Sequence, residues 1–287
     1  MILQILVNGI ALGCIYALIA LCFVIIYKAT DVVNFAQGEL MMLSAYMIYA
    51  LRLAGVSFVL ALMLGIIFSA IIYYIFSRVV MRPLIGYHLF PIVVATLAIG
   101  LIIRGAVAIK WGHQIKPFDS PFGEVIDFKY FSITSHNVGI IVITSLLIII
   151  LAVFFKYTKF GTALRATSED VIASYICGIP VKNVFSLSWI IAGIVGTIAG
   201  VFVAPTTFLS PSLGHIGLLA FPAAVLGGFQ SIPGALIGGV ILGILELFAS
   251  GYLPDAVKSI FPWMALYVIL IIRPEGIFGS FEKIRKV

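Results

Sequence analysis

The feature that most constrains the fold is a run from residue 183 to 245 that contains no Asp, Glu, Lys or Arg. One membrane crossing takes about 20 apolar residues, so this run alone holds two or three crossings. Composition agrees, because 63% of the 287 residues are hydrophobic and 10% are charged, against about 25% charged in soluble proteins. The sequence predicts an all-α membrane protein, a helical bundle forming one domain over residues 1–287.

Hydropathy predicts eight or nine crossings. The nine-crossing interpretation places them at about 4–27, 36–53, 57–80, 91–111, 137–156, 184–204, 216–231, 233–250 and 258–273. The seventh is the least regular, since Gly227, Gly228 and Pro233 also fit a re-entrant pair or a broken helix. Eight is then the expected count.

Nine crossings divide the loops into two sets with unequal positive charge. The richer set contains Lys28, Arg78, Arg82, Lys156, Lys159, Arg165, Lys182, Arg273, Lys283, Arg285 and Lys286. The poorer set contains Arg52, Lys110, Lys116, Lys129 and Lys258. Because cytoplasmic loops carry the excess of Lys and Arg, we expect the N-terminus outside, the C-terminus in the cytoplasm, an external loop at 112–136 and a cytosolic loop at 157–183.

One polar stretch, residues 159–180, interrupts the apolar runs. It has the pattern of a soluble helix at 169–177, with Thr167 or Ser168 as the cap, two acidic residues in the first turn and Gly178 at the end. A membrane protein that keeps a folded helix on its surface is expected to use it for contact. A helix lying on its own bundle or among lipid headgroups is the plainer alternative.

The apolar residues of this helix share one side. Val171 and Tyr175 are four residues apart, as are Ile172 and Ile176, and that spacing stacks side chains on a helix. The acidic start makes anionic lipid a poor partner, so a groove on a second protein fits better.

Three polar residues, Asn34, Gln37 and Glu39, open the second predicted crossing. Asn34 and Gln37 fit a capping box, which needs no further role. Their density at the mouth of an apolar bundle also fits the inner end of a passage. Arg104 and Glu246 lie inside other predicted crossings, where an ionisable residue faces a cavity, pairs with another or snorkels to an interface.

Small residues recur every four positions in three crossings, beginning at Gly9, Ala192 and Ala235. Such ladders allow close helix packing in lipid, and some of these faces could slide during transport. The candidate residues of a translocation path are Asn8, Gly13, Asn34, Gln37, Glu39, Gly196, Gly227 and Gly228.

Several function classes have no motif here. Neither phosphate-binding glycine pattern is present, no serine lies in G-x-S-x-G, and the basic residues are scattered instead of forming a nucleic-acid patch. The three cysteines and four histidines lack metal-ligand spacing. We therefore expect no enzyme activity, no nucleic-acid partner and no metal or cofactor on this chain.

A family resemblance rests on four segments in fixed order: 7–46, 160–179 (FGTALRATSEDVIASYICGI), 221–239 (FPAAVLGGFQSIPGALIGG) and 273–279 (RPEGIFG). They resemble the LivH-type permeases of branched-chain amino acid ABC importers over nearly the full length. In such permeases, the stretch similar to 160–179 is a coupling helix that docks into an ATP-binding subunit. The docking residues implied, together with the two from the helix side above, are Gly161, Arg165, Ala166, Glu169, Asp170, Val171, Tyr175 and Gly178.

The resemblance also implies an assembly. It predicts a second, homologous permease chain, two ATP-binding subunits that hold ATP and Mg, and a periplasmic binding protein, all at a bacterial inner membrane. We expect this chain to move a branched-chain or other neutral amino acid inward by alternating access. Urea, short amides and sugars stay open as cargo, and the other classes are a stand-alone secondary transporter with Glu39, Arg104 or Glu246 as its coupling charge, or a membrane scaffold without a passage.

Overall fold

The computed structural model describes residues 2–84, 88–118, 120, 122, 125–128, 131–252 and 255–279. The helices in chain order are α1 (Ile2–Thr30), α2 (Gln37–Leu53), α3 (Phe58–Phe76), a π-helical turn (Ser77–Met81), α4 (Arg82–Leu84), α5 (Leu89–Trp111), α6 (Ser135–Tyr157), α7 (Lys159–Glu169), α8 (Val171–Ile176), α9 (Val181–Thr207), α10 (His215–Leu219), α11 (Phe221–Gly227), α12 (Ile232–Tyr252) and α13 (Asp255–Ile272). Strands β1 (Val125–Phe128) and β2 (Phe131–Thr134) form one antiparallel hairpin. The predicted helical class is confirmed, with this hairpin as an addition inside the 112–136 loop.

Within the described ranges, six helical segments are long and apolar enough to cross a membrane: α1, α3 continued through α4, α5, α6, α9 and α12. The second predicted crossing is shorter, because α2 has 17 residues and spans about 25 Å at 1.5 Å per residue. Four of the basic residues in the loop charge count lie outside the described part of the chain: Lys129, Lys283, Arg285 and Lys286.

The core of the bundle forms around α1, which packs antiparallel against α12 and also packs against α9. The predicted small-residue ladders explain the close approach. A side-chain carbon on Gly13 would lie 2.6 Å from the Cα of Val240, and Gly9 meets Ile244 in the same way. In lipid, such backbone contact is a main source of helix association. By contrast, α3, α5 and α6 leave most of their surface exposed.

Contacts between loops define two ends of the bundle. At the first, named the Lys28 end, the Lys28 ammonium donates to the Gln230 carbonyl at 3.3 Å. A cavity there is also lined by Lys156 and Arg165. At the opposite end, named the Lys116 end, the backbone of Lys116 pairs with that of Leu209. The two ends therefore separate residues that the charge count placed on different sides.

The predicted seventh crossing, 216–231, is not one helix. The chain leaves Leu209 at the Lys116 end and forms only the short α10 and α11, which meet at Ala220. It then turns at Gly228, whose φ is 97°, beside Gly276 at the Lys28 end. The break lies at Ala220 and not at Gly227, Gly228 and Pro233, where the sequence placed it, and the two short helices together still run from the Lys116 end to the Lys28 end.

Candidate functional site

The polar residues that open α2 adopt a turn before the helix begins. The Asn34 side-chain oxygen accepts from the Ala36 N–H at 3.1 Å, and the Asn34 amide donates to the Gln37 side-chain oxygen at 3.3 Å. Helix α2 starts at Gln37 with Ala36 at the cap position and no side-chain cap. The predicted capping box is therefore wrong, since Asn34 satisfies the turn instead of the first helical amides.

Gln37 is fully buried where α2 meets α9 and α3. A side-chain carbon on Gly196 of α9 would lie 3.0 Å from Gln37 Nε2 and 3.3 Å from the hydroxyl of Tyr73 on α3. A residue with a side chain at 196 would crowd both polar groups. The structure thus brings Asn34, Gln37 and Gly196 together in one buried cluster.

Glu39 extends this cluster toward α5, where it forms an ion pair with Arg104. Both residues are candidates from the sequence analysis, which predicts no contact between them. The pairing follows from the packing of α5 on α2, because a side-chain carbon on Gly100 would lie 3.3 Å from Glu39 Cγ. Arg104 therefore turns to an acid on the neighbouring helix. Glu246 lies elsewhere, between α12 and α1, next to Tyr16.

The other path candidates lie away from this cluster. Asn8 accepts from the Asn137 side-chain amide at 3.0 Å and joins α1 to α6. Gly13 lies in the α1–α12 interface, while Gly227 and Gly228 lie at the Lys28 end. The Gly227 carbonyl accepts from the Phe278 N–H at 3.2 Å, so it holds the segment after α13.

The polar stretch forms two helices, α7 and α8, where the sequence predicted one at 169–177. Thr167 and Ser168 do not cap α8, because their hydroxyls donate to carbonyls within α7. Asp170 is the cap, and its carboxylate accepts from the Ala173 N–H at 2.8 Å. An acidic residue does this well because its charge also favours a helix N-terminus.

Helix α8 ends as the sequence predicts. Gly178 has a φ of 82°, a conformation that glycine adopts without strain. The Ile179 N–H then donates to the Ser174 carbonyl at 3.0 Å, as in a Schellman cap. A six-residue helix is thus fixed at both ends.

The apolar side of α8 divides between the bundle and the exterior. Val171 lines a cavity of about 250 Å³ together with Phe185 and Trp189 of α9. The exposed fractions of Tyr175 and Ile176 are 73% and 78%, and Ile172 is equally open. The most exposed apolar residues are therefore Ile172, Tyr175 and Ile176, while Val171, which lines the cavity, is 41% exposed.

The remaining docking candidates lie on α7, beside the same end of the bundle. Gly161 packs directly on the Phe155 backbone, and the Arg165 guanidinium donates to the Phe155 carbonyl at 3.1 Å. Arg165 and Glu169 line a cavity of about 1030 Å³, with Ala166 partly buried nearby. Across the described ranges, no three metal-ligating side chains come together.

The described residues thus form a bundle of apolar helices with buried polar groups and an exposed helix pair at one end, an arrangement that is compatible with a transport permease. The profile of the family described as "Branched-chain amino acid transport system / permease component" matches residues 5–271. The chain belongs to this family, which confirms the resemblance found in the sequence. Since the family consists of permease components, the chain is a transport protein and not an enzyme.

Individual relatives span nearly the whole chain. The LivH permease of the high-affinity branched-chain amino acid transport system in Escherichia coli K12 is 33% identical, covering 98% of this chain and 96% of that protein. BraD of Pseudomonas aeruginosa is 31% identical over the same shares. A solved structure, PsaBC from Streptococcus pneumoniae in complex with Fab, has a TM-score of 0.48 at 16% identity, covering 94% of this chain and 89% of that chain.

Proposed function

We propose that this chain is the transmembrane permease subunit of an ATP-driven importer for branched-chain or other neutral amino acids. Its family and the named function of its relatives support this cargo. ATP is hydrolysed on two partner subunits, and the bundle alternates its access as they close. A second, homologous permease chain and a periplasmic binding protein complete the assembly in a bacterial inner membrane.

The proposed topology has nine crossings, with the seventh made by the broken α10–α11 segment. The Lys28 end faces the cytoplasm, because the basic residues concentrate there. The N-terminus is then outside, and the segment after α13 is inside. The binding protein approaches the Lys116 end.

The observation that carries the proposal is the exposed apolar side of α8. Ile172, Tyr175 and Ile176 project from a short helix that is capped at both ends. An exposed apolar side on a fixed element favours a groove on another protein. The docking element therefore comprises α7 and α8, with the charged residues Arg165, Glu169 and Asp170 setting its register on the partner.

A pair of matched variants tests this docking. Tyr175→Asp adds one charge to the α8 surface, and Tyr252→Asp adds the same charge at the opposite end. Both tyrosines are exposed and lie near a helix end. The chain is purified with its ATP-binding subunits, and co-elution and permease-stimulated ATP hydrolysis are measured. Loss of an interface hot spot costs about 2 kcal/mol of binding free energy. Tyr175→Asp should therefore lower the affinity for the ATP-binding subunits about 30-fold, which is seen as reduced co-elution.

Tyr252→Asp should leave both measurements unchanged. Equal co-elution of the two variants would contradict docking through α8. Uptake by this chain alone in liposomes, driven by an ion gradient and indifferent to ATP, would instead establish a secondary transporter. If the complex assembles but neither the chain alone nor the complete complex takes up substrate, the protein is a membrane scaffold.

A further inference from the structure

The Glu39–Arg104 pair has no assigned role in the assembly. We propose that it lines the translocation passage and exchanges partners with a zwitterionic amino acid, whose carboxylate binds Arg104 while its ammonium group binds Glu39. This inference rests on the proposed function and identifies the chemical class of the cargo inside the membrane.

The pair lies away from the nearer end of α5. Arg104 is seven residues before the end of α5 at Trp111, a distance of about 10 Å along the helix. Its guanidinium turns to Glu39, in the first turn of α2, instead of to the nearer end of the bundle. Intramembrane charges are costly and usually serve ion or substrate pathways.

Three elements leave room for this one carboxylate. A side-chain carbon on Gly214, just before α10, would collide with the Glu39 carboxylate. Gly100 of α5 passes the Glu39 stem closely, and Gly38 of α2 packs on Gly217 of α10. The carboxylate therefore lies beside the start of α10, the first of the two short helices of the seventh segment, and discontinuous helices are typical of transporter sites.

The pair keeps unused hydrogen-bonding capacity. Among the described residues, Arg104 Nη2 donates to Glu39 Oε1, whereas the buried atoms Glu39 Oε2 and Arg104 Nε have no hydrogen-bond partner. A carboxylate and a guanidinium form their strongest contact through two parallel bonds. A zwitterion would supply an acceptor for Arg104 and a donor for Glu39, while the total charge of the site stays constant.

Arg104 also opens outward from the bundle. Its side chain is 38% exposed, and Leu101, one turn earlier on the same side of α5, is exposed as well. Hydrocarbon would leave the guanidinium poorly solvated. A water-filled passage lined by protein satisfies it, and lets the cargo reach the pair.

The first test is transport by the complete complex in liposomes, with radiolabelled leucine as the probe. Arg104→Gln and Glu39→Gln each remove one charged partner. Since a hydrogen bond to a charged group corresponds to about 10- to 100-fold, we expect leucine uptake per ATP to fall at least about tenfold. Arg104→Lys, which keeps the charge, should fall less, and the exposed-site control Arg78→Gln should transport normally.

A purely structural pair gives a different result. Uptake would then fall only together with co-elution and melting temperature, and that outcome overturns the proposal. Unchanged uptake in Arg104→Gln also overturns it. If the unsubstituted chain fails to co-elute with the ATP-binding subunits, the proposed function itself is contradicted. If the unsubstituted complex assembles and transports leucine, and the variants transport it equally well, only this inference is contradicted.

The second test leaves the pair intact. In a Cys177→Ser background, Ala108→Cys places a thiol one turn beyond Arg104 on the same side of α5, and Ile102→Cys places one on the opposite side. Cys14 and Cys22 are buried. A charged, membrane-impermeant thiol reagent should label position 108 and not 102 in the complex. An unlabelled position 108 contradicts a water-filled passage there.

Discussion

Helices α12 and α5 are apolar segments of similar length that join the bundle in different ways. Helix α12 meets α1 through glycines on both partners, so that Gly13 approaches the Val240 backbone. Helix α5 meets α2 through the Glu39–Arg104 pair and a Tyr46–Trp111 ring contact at 5.3 Å between centroids. The difference indicates a bundle with one interface fixed by backbone packing and another held by side chains.

Gly13→Ala should produce the largest change in stability. The new methyl group would lie 2.6 Å from Val240 Cα, so the backbones of α1 and α12 must separate. We expect the free energy of unfolding to fall by about 2–3 kcal/mol, as for an overpacked core. Denaturation of the purified chain in mixed micelles measures it. A change below about 0.5 kcal/mol would contradict rigid packing between these helices.

Asn137→Ala tests the polar contact that ties α6 to α1. The substitution leaves the Asn8 side-chain oxygen without its 3.0 Å partner. Hydrogen bonds between membrane helices contribute about 0.6 kcal/mol on average, so we expect a loss of about 0.5–1.5 kcal/mol in the same unfolding measurement. The double variant Asn8→Ala/Asn137→Ala is the control, since a genuine pair makes the two losses less than additive.

Gly105→Ala is the same glycine-to-alanine change as Gly13→Ala, made on the exposed side of α5. No heavy atom described by the structure lies within 4 Å of the added carbon. Because alanine favours a helix over glycine, we expect unfolding to cost about 0.5–1 kcal/mol more. Destabilisation in the isolated chain would show that α5 packs more tightly than its contacts indicate.

Gly100→Ala should have the smallest effect on stability. The added carbon would lie 3.3 Å from Glu39 Cγ and 3.6 Å from Ala36 Cα, so only the Glu39 side chain must shift, by a few tenths of an ångström. The gain in helix propensity and this crowding should nearly cancel, giving a change within about 0.5 kcal/mol. A loss as large as that of Gly13→Ala would remove the contrast between the two interfaces.

The predicted elements and the structure agree where one local rule decides. Long uncharged runs predict α1, α6 and α9, since any apolar run of that length must be buried or meet lipid. The end of α8 at Gly178 follows from the conformational freedom of glycine. Its start was misplaced, because Thr167, Ser168 and Asp170 all fit a cap and only the bend after α7 selects among them.

The candidate site was predicted in part. Asn34, Gln37 and Glu39 stand out as polar residues in an apolar chain, and the structure brings them together with Gly196. Their link to Arg104 was missed, since 65 residues of chain separate Arg104 from Glu39. The signal available was that each charge lies in an apolar run and needs a partner.

The sequence by itself determined the class of this protein, its membrane-crossing helices and its family. These depend on hydrophobic length and short motifs, which are properties of neighbouring residues. Only the tertiary structure decided that the seventh segment is broken, that Ile172, Tyr175 and Ile176 face outward, and that Glu39 meets Arg104. These outcomes depend on which parts of the chain pack together, and near the Glu39–Arg104 pair glycines set how closely they approach.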